Sequence, residues 1–190
     1  MGARAGWYGY VSVADVDATA AHATRLGGVV HVPPRDIPNI GRFAVLGDPQ
    51  GAVFCLFHGI GEMAPPSQRE PGRIGWHELL AADWQKAFAF YAELFGWQKD
   101  TAVDMGPMGT YQLFSDGSEA MGGMFNKPDA VPAPFWLYYF NVGDIDAGAQ
   151  RVTGGGGKIL NGPMEVPGGM WIVQCMDPQG VMFALVGKRE

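Results

Sequence analysis

Hydrophobic and polar residues alternate in short runs along this chain, and turn-forming residues separate the runs, a pattern typical of β-strands. In the first 60 residues an alanine-rich segment interrupts the alternation. It begins at Asp15, whose carboxylate suits a helix N-cap, and ends at Gly27-Gly28. The pattern therefore predicts one helix and four strands in the order βαβββ, with the strands at 7–13, 29–32, 41–46 and 52–57.

The same pattern recurs near the C-terminal end of the chain. Residues 136–186 align without a gap with residues 7–57, at an offset of 129 positions, and 18 of the 51 aligned pairs are identical. The identities include the four-residue turn Asp-Pro-Gln-Gly at 48–51 and 177–180. Such an internal repeat predicts that the two segments fold alike.

The residues between the two copies predict a third unit of the same kind. A strand at Ile74–Ala81 is followed by Asp83 as an N-cap and by a helix, and strands are predicted near 97–103, 110–115 and 120–125. The helix carries an apolar stripe at helical spacing, formed by Phe88, Tyr91, Leu94 and Phe95. The predicted fold class is α+β, built from three repeated βαβββ modules.

Composition predicts how the modules are grouped into domains. Residues 61–72 are rich in glycine and proline and are interpreted as a linker between a single module at 1–60 and a two-module domain at 73–190. A single four-stranded module would leave an apolar face and a sheet edge uncovered. We therefore expect a homodimer in which the 1–60 modules of two chains pair.

Charge and cysteine content narrow the class of protein. A net charge of -6 without a basic stripe argues against nucleic acid as a partner, and no apolar run is long enough to span a membrane. Two cysteines at non-equivalent positions of the repeat do not form a disulfide framework, so a reducing cytoplasmic location is expected.

Several motifs resemble one superfamily. The helical run FAFYAELFGW at 88–97, the segment VGDIDA at 142–147 and the turn DPQG resemble the vicinal-oxygen-chelate proteins, which include glyoxalases, bleomycin-resistance proteins and extradiol dioxygenases. The segment PGRIGWHEL at 71–79 resembles two-domain glyoxalase-like proteins of the 27-kDa-antigen type. The resemblance implies that modules pair around a cavity, and that module 1–60 is the second half of a domain whose first module is missing.

The resemblance also implies where a metal would bind. Metal-dependent members carry His or Glu on the first strand of each module and Glu near the end of the last strand. In this sequence those positions hold Trp76, Leu137 and Ala184, which are not metal ligands. We therefore expect no metal and no other cofactor, the alternative being a divalent ion held by His77 and Glu78.

Inward-facing residues suggest a ligand site instead. Strand alternation places Trp76 with Glu78, and Tyr139 with Asn141, on one face of their strands. Glu78 would serve either as a general base or as a structural hydrogen-bond acceptor. The predicted ligand-binding residues are Trp76, Glu78, Tyr111, Tyr139, Asn141 and Trp171, and none is predicted to be catalytic.

The sequence leaves three functions open. The first is binding of a small organic molecule in an aromatic-lined cavity without metal, as in sequestering resistance proteins. The second is a metal-dependent lyase, isomerase or dioxygenase, and the third is an interaction protein with a vestigial cavity. Since one scaffold carries many chemistries, the resemblance alone does not decide among them.

Overall fold

The computed structural model describes residues 5–61 and 70–189, so positions 62–69 of the predicted linker lie outside the described residues. The described part of the chain has a mixed α+β fold dominated by strands. The strands are β1 (Tyr10–Ser12), β2 (Val29–Ile37), β3 (Gly41–Gly47), β4 (Val53–Gly59), β5 (Ile74–Ala81), β6 (Gln98–Asp104), β7 (Thr110–Ser115), β8 (Ala120–Asn126), β9 (Phe135–Asp144), β10 (Lys158–Val166), β11 (Met170–Met176) and β12 (Met182–Lys188). The helices are α1 (Val16–Arg25), α2 (Trp84–Phe95) and α3 (Ile145–Gly154), and a short 3₁₀ helix spans Gly106–Met108.

No helix among the described residues is both long enough and apolar enough to cross a membrane.

Each α-helix begins after an aspartate, as the sequence predicts. The aspartate lies at the N-cap in an extended conformation, and its carboxylate accepts the backbone N–H three residues later, which satisfies one of the first free amides of the helix. The donor–acceptor pairs are Ala18 N to Asp15 Oδ1 (2.9 Å), Lys86 N to Asp83 Oδ1 (3.1 Å) and Ala147 N to Asp144 Oδ1 (2.7 Å).

The chain is divided into two compact units by its internal contacts. The first unit contains the described residues of Met1–Trp7, Pro66–Glu78 and Leu137–Glu190, and the second contains those of Tyr8–Pro65 and Leu79–Trp136. The composition instead predicted a division at the linker 61–72. The grouping into a single module at 1–60 and a two-module domain at 73–190 stays a prediction.

In the first unit, the strands follow the order β10-β11-β12-β9, and the Ile74–Glu78 part of β5 lies beside β9. β12 and β9 are parallel, whereas β10, β11 and β12 are joined in antiparallel pairs. Helix α3 packs on one face of these strands over a buried cluster of Ile145, Val173, Cys175 and Leu185. The opposite face carries the candidate site.

The second unit contains a four-stranded sheet in the order β1-β4-β3-β2, together with the strands β8-β7-β6 beside the Leu79–Ala81 part of β5. Helix α1 covers one face of the four-stranded sheet. The small and branched residues at this contact are almost fully buried: Val16, Ala20, Ala23, Ala44, Leu46 and Leu56.

The sheet of the second unit is also attached to helix α2. The ring of Phe54 lies edge-on to Tyr91 at 5.6 Å between centroids, and the buried carboxylate of Asp48 accepts the Tyr91 hydroxyl at 3.1 Å. The side chain of Gln50 donates to Asp83 O and accepts from Asp83 N, both at 2.8 Å. The face of the four-stranded sheet that α1 covers therefore also contacts α2 within the unit, and the expected homodimer stays a prediction.

Candidate functional site

The register of the first unit brings polar residues of three strands together on the face opposite α3. Tyr139 of β9 lies beside Ala184 of β12, and Ala184 lies beside Gln174 of β11. Because paired residues share a face of the sheet, the Tyr139 and Gln174 side chains both extend over the small side chain of Ala184. A small residue between two long polar ones leaves room for them to meet.

A hydrogen-bonded chain of three side chains forms the centre of this face. The Tyr139 hydroxyl donates to Glu78 Oε1 at 3.0 Å, and Gln174 Nε2 donates to the Tyr139 hydroxyl oxygen at 3.3 Å. Glu78 is 8% exposed and Tyr139 is 2% exposed. Two residues predicted from sequence, Glu78 and Tyr139, are therefore in direct contact.

The environment of Tyr139 keeps its phenol protonated. Burial raises the pKa of Tyr139 well above its ordinary value, and the neighbouring Glu78 charge raises it further, since a phenolate there would be both desolvated and repelled. Gln174 opposes this by donating to the oxygen. Tyr139 therefore donates its hydroxyl proton to Glu78. The Glu78 carboxylate, which when ionised can only accept hydrogen bonds, lies at a weakly solvated position.

Asn141 and Trp76 extend the same face. Asn141 N donates to Arg73 O and Gly72 N donates to Asn141 O, both at 2.8 Å, so the backbone of Asn141 is fixed by the segment leading into β5. The Asn141 amide occupies the space where a Cβ on Gly75 would lie, so a larger residue at this position would displace the amide. Trp76 is half-buried, and strand alternation puts it on the Glu78 side of β5.

His77 lies on the other side of β5. Its ring meets Tyr138 edge-on at 6.0 Å between centroids, as expected for a residue that alternates with Trp76 and Glu78. Over residues 5–61 and 70–189, no three His, Cys, Asp or Glu side chains are grouped so that they would hold a metal ion. The hydrogen bonds at Glu78 join one carboxylate to a phenol and an amide, a donor set that does not suit a divalent cation.

The remaining two predicted site residues are Trp171 and Tyr111. Trp171 alternates with Ile172 and packs on the α3 side of the sheet, where Arg189 lies 4.5 Å from its ring centroid. Tyr111 belongs to the second unit, where its ring is 5.7 Å from that of Phe125 and covers Gly123.

Gln174 was not predicted. Its signal is a single polar residue in the otherwise apolar stretch WIVQCM, which is weak because the register of β11 is not evident from sequence. The strand has two register shifts against β10, between Ile159 and Asn161 and between Asn161 and Met164.

A separate open depression of about 560 Å³ lies on the surface of the second unit. It contains none of the predicted site residues, and its lining is mostly apolar with one lysine and one glutamate. The lining residues are Leu26, Pro49, Lys86, Ala89, Phe90 and Glu93.

The fold and these motifs define the class of protein. The chain belongs to the Glyoxalase/Bleomycin resistance protein/Dioxygenase superfamily, whose sequence profile matches residues 73–185. Its fold is that of solved members: the Mn(II)-bound glyoxalase from Novosphingobium aromaticivorans superposes with a TM-score of 0.67 at 17% identity, covering 95% of this chain and 62% of that chain. Homoprotocatechuate 2,3-dioxygenase from Arthrobacter globiformis superposes with a TM-score of 0.66 at 16% identity, covering 97% and 61%.

Curated relatives extend over nearly the whole chain. The anthracycline biosynthesis protein DnrV of Streptomyces peucetius is 33% identical over 188 residues, which are 97% of this chain and 66% of DnrV. CFP32 of Mycobacterium tuberculosis, whose name as a glyoxylase is provisional, is 29% identical over 180 residues, which are 95% of this chain and 69% of CFP32. The chain thus spans about two thirds of the length of these relatives.

Proposed function

We propose that this protein binds a small, flat organic molecule on the Glu78–Tyr139 face without the help of a metal ion. The observation that carries the proposal is the buried Glu78 carboxylate, which accepts the Tyr139 phenol at 3.0 Å, in a described part of the chain where no three His, Cys, Asp or Glu side chains are grouped to hold a metal ion. A carboxylate in such surroundings selects ligands that donate a hydrogen bond.

The chemistry of the face favours a ligand with an aromatic body and a hydroxyl. The Tyr139 phenol already demonstrates that a phenolic hydroxyl meets Glu78 with good hydrogen-bond geometry. The half-buried Trp76 offers an apolar ring surface, and Asn141 and Gln174 add amides that accept or donate. The relationship to DnrV, a protein named for anthracycline biosynthesis, supports a polycyclic aromatic ligand.

A binding titration tests this proposal. With 1,8-dihydroxyanthraquinone as the probe, tryptophan fluorescence of the wild-type protein should be quenched saturably. Glu78→Gln should weaken binding by about tenfold to a hundredfold, because the loss of a hydrogen bond to a buried charged group costs about 1.5–3 kcal/mol. Tyr138→Phe is the matched control, since it removes a hydroxyl from the adjacent residue on the opposite face of β9, and it should leave the affinity unchanged.

Elemental analysis of protein purified without a metal-binding tag completes the test. We expect less than stoichiometric Mn, Fe, Ni and Zn, and unchanged binding of the probe after treatment with a chelator. Stoichiometric metal that is lost in Glu78→Gln would overturn the proposal in favour of a metal-dependent enzyme. Absence of saturable quenching would leave an interaction protein with a vestigial site.

A further inference from the structure

Two rows of side chains run across the strands on the face of the first unit that carries Tyr139. Residues that pair directly in neighbouring strands share a face, so the strand register defines each row. One row, termed the polar row, is formed by Tyr139, Ala184, Gln174 and Asn161 of β9, β12, β11 and β10. The next row, about 7 Å away along the strands, is formed by Asn141, Val186, Ile172 and Met164 of the same four strands. Each strand thus contributes one residue to each row.

The two rows differ in their capacity for hydrogen bonding. Gln174 Nε2 donates to the Tyr139 hydroxyl oxygen at 3.3 Å, and Asn161 adds a second amide at the β10 end. Glu78 accepts from the Tyr139 hydroxyl at 3.0 Å, which places a carboxylate at the opposite end of the polar row. The next row has three apolar members beyond β9, termed the apolar row: Val186, Ile172 and Met164.

The apolar row is only partly covered. Met164 is 36% exposed, and Ile172 and Val186 are half-buried, although residues on the other face of these strands are packed under α3. Apolar side chains that keep some exposure beside convergent polar groups are typical of a small-molecule site. From β12 to β10 the row covers two inter-strand spacings, about 10 Å, which is close to the length of three fused six-membered rings. The face therefore has the dimensions of a fused-ring molecule that lies across the strands.

We propose that this face selects fused-ring ligands whose hydroxyl groups lie along one long edge. The inference rests on the proposed function and adds the orientation of the ligand. The hydroxylated edge meets the polar row and Glu78, and the opposite edge lies over the apolar row. A hydroxyl on that opposite edge would lose its water and gain no hydrogen bond from Val186, Ile172 or Met164. The arrangement of the hydroxyls, and not their number, therefore decides the affinity.

Two isomeric probes test this selection. In both 1,8- and 1,5-dihydroxyanthraquinone each hydroxyl lies next to a ring carbonyl, so the two molecules have equal ring area and equal internal hydrogen bonding. Only the 1,8 isomer has both hydroxyls on one long edge. Titration followed by tryptophan fluorescence should show that wild type binds the 1,8 isomer about tenfold more tightly, because the 1,5 isomer buries one hydroxyl without a partner.

A substitution in the apolar row should weaken the discrimination. Met164→Asn adds an amide at the exposed end of this row, where it can bond the second hydroxyl of the 1,5 isomer, so the ratio of the two dissociation constants should fall from about ten to about three or less. Glu165→Gln is the matched control. Glu165 is the next residue of β10 and pairs with Trp171 on the other face of the sheet, so the ratio should stay as in wild type. Far-UV circular dichroism checks that both variants are folded.

The outcomes distinguish this inference from the proposed function on which it rests. Equal dissociation constants of wild type for the two isomers, or a ratio that Met164→Asn leaves unchanged, would overturn the edge selection while the proposed binding function stands. Absence of saturable quenching by either isomer would overturn both.

Discussion

Replacing Phe54 with alanine is expected to lower the free energy of unfolding by about 3–5 kcal/mol, the range for removing a large aromatic side chain from a packed core. Phe54 is 2% exposed. Its ring lies edge-on to three rings of α2, those of Phe90, Tyr91 and Phe95, at 6.2, 5.6 and 5.9 Å between centroids. These contacts attach the four-stranded sheet to α2, so Phe54→Ala would leave a cavity between the sheet and this helix.

The repeat supplies a matched control. Phe183 occupies the equivalent position of the C-terminal copy, but it is only half-buried and contacts Phe140 at 6.3 Å and Trp7 at 6.1 Å. Phe183→Ala should cost less, about 1–2 kcal/mol for its smaller buried area. Urea unfolding followed by far-UV circular dichroism measures both, and an equal or larger loss for Phe183→Ala would contradict the idea that the first copy is held by α2.

The local structure of the chain could be predicted from its sequence because local signals specify it. Asp15, Asp83 and Asp144 start their helices, and the repeat places equivalent strands in equivalent register. The same reasoning placed Glu78 and Tyr139 on inward faces, since alternation within a strand is fixed once one residue is placed.

The sequence could not predict which element of the fold a given side chain packs against. Trp171 was predicted for the site but faces α3, because a shift of one position in the register of β11 moves a side chain to the other face. Gln174 went unpredicted for the same reason. The packing of Phe54 depends on residues of α2 about 40 positions away, and no local pattern indicates it.

The identical turns of the repeat show this limit most clearly. Asp48 and Asp177 each accept two backbone amides of their own turn, at 2.8 and 2.9 Å for Asp48 and at 2.9 Å twice for Asp177. Of the two, only Asp48 is almost fully buried, at 2% exposure. Asp48 also accepts a hydrogen bond from the Tyr91 hydroxyl, and the oxygen of that hydroxyl accepts one from Trp136 Nε1 at 3.0 Å. One sequence motif thus has a local role in one copy and a tertiary role in the other.

Asp48→Ala is therefore expected to destabilise the protein by about 3 kcal/mol, because it leaves two backbone amides and the Tyr91 hydroxyl without their acceptor in a buried place. Asp177→Ala, at the less buried turn, should cost about 1 kcal/mol. The same urea unfolding experiment compares them. Equal losses would mean that Asp48 acts only within its own turn.

The pH dependence of Asp48→Asn separates the charge of Asp48 from its hydrogen bonds. Burial raises the pKa of Asp48 in the folded protein, against the opposing effect of hydrogen bonds from Ala52, Gln50 and Tyr91. A folded pKa above the unfolded one means that the native state binds more protons in that interval, so the wild type loses stability as pH rises from the unfolded pKa, near 4, through the raised folded pKa. Asparagine keeps an acceptor for the amides and does not titrate. The stability of Asp48→Asn relative to wild type should therefore increase across this interval and level off above it. A difference in stability that stays constant from pH 3 to pH 8 would show that the burial of this carboxylate costs the fold nothing.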